Sequence, residues 1–142
     1  VLNQYNLPVT GGVVTFTFNN SKYFVNVVND QNGNPTWAYD LACAIMILIR
    51  RANHETVKEI FNYSNEGVIP WNNFAEAIFY IGGKNCEVRP ISTKDYGGKA
   101  NRPAFSALDK TKIKEYIGIK IPFWRESLIK CIEEIKHNSI NN

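Results

Sequence analysis

The chain has 142 residues, with 16 Lys and Arg against 13 Asp and Glu for a formal net charge of +3, a length that supports one core burying about two-thirds of the unfolded chain's surface. Its longest apolar stretch, Leu41 to Ile49, is too short to span a bilayer, and no basic-then-apolar leader opens the sequence, so neither membrane insertion nor export is expected. Cys43, Cys86 and Cys131 are odd in number and lack a Cys-x-x-Cys pairing, which fits reduced thiols in a cytoplasmic protein.

In chain order the pattern predicts mixed α and β structure in a single domain over residues 1–142. Val14, Phe16 and Phe18 alternate with Thr15 and Thr17, and Lys22 to Val28 is a second β-rich run across the turn Asn19-Asn20-Ser21; the pair predicts a hairpin. Asn34 suits an N-cap and Pro35 the first helical position, after which Leu41, Ala44, Ile45 and Leu48 mark one face of a helix ending near Arg50-Arg51. Cys43 and Cys131 fall in helical apolar patterns and are expected as small core fillers. A second helix should run from about Trp71 to Ile81 and stop at Gly82-Gly83. Glu87 to Ile91 reads as a short strand. Asp109 should cap a brief helix ended by Gly118, and Pro122 should open a last amphipathic helix carrying Leu128, Ile132 and Ile135.

Several chemistries are disfavoured. His54 and His137 are the only histidines and have no ligand-spaced neighbours, so neither a metal site nor a His-dependent nucleophile is expected. The segment from Lys84 to Lys120 carries nine basic and four acidic residues, mostly as a solvated face. The aromatics Trp37, Phe61, Trp71, Phe74 and Trp124 sit in apolar patterns rather than among those basic residues, which speaks against a nucleic-acid partner. The pair Glu133-Glu134 lies on a polar helix side and offers no glycosidase-like pocket.

Two places could hold a ligand. In the turn around Gly33, Asp30, Gln31 and Thr36 supply donors and acceptors beside Pro35, just before a helix start, a setting suited to a polar or anionic group. The plainer alternative is that Asp30 and Gln31 satisfy turn amides and Asn34 caps the helix. Arg102 precedes Pro103 with Gly97-Gly98 nearby, where its planar fork could reach a diphosphate. Pairing with Asp109 or with a helix C-terminus would instead make it a loop lock.

Three ordered motifs carry a family resemblance. They are Val28-Asn29-Asp30-Gln31-Asn32-Gly33-Asn34-Pro35-Thr36-Trp37-Ala38-Tyr39-Asp40-Leu41-Ala42, Ile60 through Ser64-Asn65-Glu66-Gly67 to Trp71, and Arg102-Pro103-Ala104-Phe105-Ser106-Ala107-Leu108-Asp109 leading to Gly118 through Glu126. Together the motifs resemble the dTDP-4-dehydrorhamnose reductases, extended short-chain dehydrogenase/reductases. Residues 24–135 follow that family, whereas residues 1–23 are a divergent segment, a deletion or a cloning junction. No Gly-x-Gly-x-x-Gly follows a strand, and Gly11-Gly12 lacks the third glycine. Only Tyr80 and Tyr116 have a lysine four residues on, at Lys84 and Lys120, and neither falls where the family keeps its Tyr-x-x-x-Lys. The chain thus resembles the small C-terminal substrate-binding domain without the Rossmann half.

The resemblance implies a dTDP-sugar as ligand, with Gln31, Pro35, Thr36 and Arg102 as substrate-binding residues; the turn would face the sugar-nucleotide cleft and the arginine the diphosphate. It implies no catalytic residue, cofactor or metal in this chain, NADPH or NADH in the full-length enzyme, a nucleotide-binding domain as missing partner, and a homo-oligomer. The Ser64-Asn65-Glu66-Gly67 turn reads as architectural. Alternatives of the same fold are a non-catalytic subunit like the regulatory subunit of methionine adenosyltransferase, and another 4-keto-sugar-nucleotide reductase or epimerase.

Overall fold

A computed structural model of the chain describes residues 16–19, 22–52, 58–98 and 100–140. Val14, Thr15, Gly11-Gly12, the Asn20-Ser21 turn, His54 and Lys99, on which sequence expectations fall, lie outside the described residues. Strands β1 (Phe16–Asn19) and β2 (Lys22–Val28) pair antiparallel, with Phe16 opposite Val25 and Asn19 opposite Lys22, as the alternating pattern predicts. β2 then leads through a two-residue strand, β3 (Asn32–Gly33), into helix α1 (Ala38–Ala52). A short β4 (Ile69–Pro70) pairs antiparallel with β3 and passes directly into α2 (Trp71–Gly82). β5 (Cys86–Ile91) returns parallel to β2, so the main sheet has the order β1-β2-β5. The rest is helical: α3 (Thr93–Tyr96), α4 (Thr111–Ile117) and α5 (Trp124–Ile140).

The apolar pattern distributes these elements around two packed regions. α2 lies against β2 and β5 and meets α5; Val25, Ala77, Trp124 and Ile132 are buried there or beside it, and Phe74 makes edge-on ring contacts with both Trp71 and Trp124. The second region joins α1 to α4: Ala44, Ile113, Ile117 and Ile121 are buried and Leu48, Phe61, Tyr63 and Tyr116 pack around them. Gly83 and Gly118 end α2 and α4 in the left-handed conformation, the stop that glycine makes cheap.

Three expectations at helix starts and faces need correction. α1 begins at Ala38, not at Pro35, because Asn34 is drawn into tertiary bonds: its Nδ2 donates to Gly67 O at 2.6 Å and its Oδ1 accepts from Leu108 N at 2.9 Å. α5 begins at Trp124, two residues after Pro122, since the Pro122 carbonyl is engaged by Glu66 N. Cys43 is exposed, and on α1 only Ala44 is fully buried while Leu41 and Ile45 are exposed. Among the described residues no helix is long and apolar enough to cross a membrane.

Candidate functional site

The Asp30–Trp37 turn is held from three sides by segments distant in sequence. On one side Asp30 accepts from Thr93 N and from Thr93 Oγ1 at 2.6 Å, which holds its carboxyl below the usual range. Gln31 is buried, its Nε2 donates to Thr93 Oγ1 at 3.0 Å, and its backbone carbonyl accepts from Trp71 N. On the second side the 104–108 loop runs along β3: Asn32 N donates to Ala104 O at 2.8 Å, Ser106 N to Asn32 O at 2.9 Å, and Leu108 N to Asn34 Oδ1. Two residues before that zipper stands Arg102. The sequence-predicted turn and late loop are therefore adjacent, joined through backbone bonds that sequence spacing could not show.

The third side is the Ser64–Gly67 turn. Asn65 is wholly buried; its Oδ1 accepts from Trp37 N at 2.9 Å, and its Nδ2 lies within bonding reach of Asp40 Oδ2, Ser127 Oγ and Pro122 O. The start of α1 is thus capped by a side chain from another segment, in the role a local Asn34 was expected to fill. Glu66 bonds Lys114 Nζ at 2.8 Å and Lys110 Nζ at 3.2 Å, and the Lys114 bond, followed by the Lys110 contacts, holds its carboxyl low against the opposing effect of burial. These pairs, with Lys112 on Glu59, account for three lysines of the basic segment.

The four expected site residues sit differently. Gln31 and Pro35 are buried, Thr36 is exposed with its hydroxyl on Asn34 O at 3.3 Å, and Arg102 is exposed. Asp109 accepts from Thr111 N and Oγ1 instead of pairing with Arg102, so the loop-lock alternative through that pair falls; the N-cap of α4 is Lys110, not Asp109 as expected, because Asp109 closes an Asx turn one residue ahead of the helix. Among the described residues no hydrogen bond or ion pair holds the Arg102 side chain. Asp30 spends its acceptors on the Thr93 amide and hydroxyl, 63 positions away, and not on an amide of its own turn. Sequence reading missed Thr93, whereas Asn65 has the architectural role expected of its turn. The Ser92-x-x-Asp95 spacing could have flagged the cap that Ser92 Oγ makes with Asp95 N, but nothing local ties Thr93 to Asp30.

Two grooves lie elsewhere, one between α2 and the start of α5 beside Glu76, Tyr80 and Arg125, the other between Trp37, Tyr39 and Glu134. Both are shallow, and neither contains Gln31, Pro35, Thr36 or Arg102. A Cβ at Gly33 would stand 2.9 Å from Ser106 Oγ and 3.0 Å from the Trp71 ring, so the close approach of the 104–108 loop and of α2 to the turn is what demands glycine there. Among the described residues no group of His, Cys, Asp and Glu could hold a metal ion.

The fold is that of a small mixed α/β domain, with the turn after β2 bonded to the 104–108 loop. The family described as RmlD substrate binding domain matches residues 13–137, and the chain belongs to that family. It is 36% identical over 114 residues to the spore coat polysaccharide biosynthesis protein SpsK of Bacillus subtilis, covering 80% of this chain and 38% of that protein. It is 37% identical over 115 residues to a dTDP-4-dehydrorhamnose reductase of Sinorhizobium fredii, covering 76% of this chain and 39% of that protein. Among solved structures, the dTDP-4-dehydrorhamnose reductase of Bacillus anthracis in complex with NADP superposes with a TM-score of 0.71 at 32% identity, over 78% of this chain and 38% of the other. The chain therefore spans about two-fifths of the length of the relatives it matches.

Proposed function

We propose that this chain is the nucleotide-sugar-binding part of a dTDP-4-dehydrorhamnose reductase, which reduces dTDP-4-dehydro-6-deoxy-L-mannose to dTDP-L-rhamnose. The observation that carries the reading is the zipper between Asn32–Asn34 and Ala104–Leu108, which brings the polar turn beside the loop bearing an exposed arginine without an intramolecular partner among the described residues. Gln31, Pro35, Thr36 and Arg102 are the residues proposed to meet the substrate: Pro35 shapes the turn, Gln31 and Thr36 offer polar groups, and Arg102 takes the diphosphate. In the full-length enzyme NADPH, or NADH, supplies the hydride, and it is held by a nucleotide-binding domain outside these residues. The relatives named as reductases and the neighbour solved with NADP support this division of labour. The domain is taken as one unit over residues 1–142, with 24–135 family-like and 1–23 divergent. The protein is cytoplasmic and assembles as a homo-oligomer, without a nucleic-acid or membrane partner.

Arg102 gives the test. Arg102→Ala in the full-length protein should weaken dTDP binding by about 2–5 kcal/mol, the cost of losing one partner of a charge pair desolvated on binding. Arg102→Lys should recover only part, because an ammonium cannot make the planar two-pronged contact. The melting midpoint should stay where it was, since no hydrogen bond or ion pair to a described residue is lost. Unchanged dTDP affinity with a lowered midpoint would remove Arg102 from the site.

A further inference from the structure

Thr93 stands where Asp30 and Gln31 meet, and its single hydroxyl proton decides how Gln31 is presented. The hydroxyl lies 2.6 Å from Asp30 Oδ1, and Gln31 Nε2 lies 3.0 Å from the same hydroxyl oxygen. A hydroxyl has one proton to give and lone pairs to receive with, whereas an ionised carboxylate can only accept. The two Asp30 oxygens also take the Thr93 backbone N–H at 3.0 and 2.9 Å, which fixes the carboxylate against the Thr93 side chain. The hydroxyl proton is therefore committed to Asp30, and Thr93 Oγ1 can only accept from Gln31. That forces the amide to turn its nitrogen toward Thr93; the reversed amide would set two acceptors face to face. Gln31 is only 6% exposed, so its amide cannot compensate by turning into bulk water. The bonds among the described residues engage Nε2 and leave Oε1 as an open acceptor.

We infer that Thr93 is a positioning residue: through the order Gln31 to Thr93 to Asp30 it presents the Gln31 carbonyl oxygen to a hydrogen-bond donor of the bound sugar nucleotide, either a sugar hydroxyl or the imide N–H of the base. This rests on the nucleotide-sugar reading and adds to it a residue that sets specificity without touching the ligand. An acceptor on a side chain only 6% exposed discriminates against a ligand that lacks the matching donor, because binding then covers the oxygen without pairing it.

The test is calorimetric titration of the full-length protein with dTDP and with a dTDP-sugar. Native protein is compared with Thr93→Val, Thr93→Ala, Thr93→Ser, Gln31→Ala and the Thr93→Val/Gln31→Ala pair. Removing the hydroxyl should weaken binding roughly tenfold, as one buried hydrogen bond does. Serine should restore it, and the valine change should have no further effect once Gln31 is alanine. A merely structural role would not give that non-additivity. Loss with both ligands assigns the donor to the base; loss confined to the dTDP-sugar assigns it to a sugar hydroxyl. Full affinity in both hydroxyl-free variants, or losses that add independently of Gln31, overturn the relay while leaving the nucleotide-sugar reading intact. Native protein that binds neither ligand overturns that reading and the relay's role with it.

Discussion

Asn65 and Gly67 show how much of the candidate site rests on single residues outside the proposed ligand contacts. Asn65→Ala would strip the Trp37 amide of its acceptor and leave Asp40 and Ser127 without the amide that lies between them. Leaving buried polar groups unpaired costs about 1–3 kcal/mol each, so a loss of roughly 3 kcal/mol in urea denaturation is expected. Gly67 combines a φ of +90° with no room for a side chain: an added Cβ would fall 2.3 Å from Phe123 Cε2 and 2.7 Å from Trp124 Cδ1. Gly67→Ala should cost about 2–4 kcal/mol, from overpacking plus left-handed backbone strain. Gly83 and Gly118 are also left-handed, yet a Cβ at either meets nothing within 4 Å, so alanine there should cost only the backbone component of about 1–2 kcal/mol. Comparable losses at all three positions would mean that the close approach of Gly67 to the aromatic pair is not what demands glycine.

At the scale of elements, Glu66 ties the Ser64–Gly67 turn to α4 through Lys110 and Lys114. Its folded-state pKa lies below the ordinary value of 4.5, so the stability from these pairs is full above that value and drains as pH falls through the lower, folded one. Unfolding midpoints measured from neutrality down to acid should therefore drop below about pH 4.5, and Glu66→Gln should flatten that drop while lowering stability at neutral pH. An unchanged acid profile in Glu66→Gln would assign the drop to other carboxylates. The same turn shows what the sequence could and could not reveal. α2 was legible at both ends because Gly82-Gly83 is a local stop signal, and β2 and β5 because their patterns are local. The start of α1 was not, because its cap comes from Asn65 and because Asn34, a good cap by type, spends both ends of its amide on Gly67 and Leu108. Gln31 and Arg102 could be picked by residue type and motif; the backbone zipper that brings their segments together could not, since it joins residues more than seventy positions apart.

For the molecule as a whole, the outer face of α1 is a clustered apolar surface left open among the described residues. Ala44 and Leu48 turn toward α4, while Ile45, Met46 and Ile49 are 44%, 51% and 62% exposed, an arrangement that turned the expected core-facing stripe partly outward. Clustered apolar exposure favours association, so the 142-residue chain by itself should self-associate in sedimentation at high concentration, and a clean monomer there would count against a burial role for this face. Activity is the sharper test. Of the two tyrosines with a lysine four residues on, Tyr80 is 79% exposed at the end of α2, with Lys84 beyond the Gly83 stop, and Tyr116 packs on Phe61 with ring centroids 5.0 Å apart. If the chain is the nucleotide-sugar-binding part proposed above, with the dinucleotide site and the proton-donating dyad outside it, it should bind dTDP and yet consume no NADPH. The purified chain is given NADPH and a dTDP-4-keto-6-deoxy sugar, and absorbance of the reduced nicotinamide is followed beside a dTDP titration. Binding without turnover is the expected result; steady NADPH loss that scales with chain concentration would show a complete reductase in these residues and overturn the division of labour proposed for them.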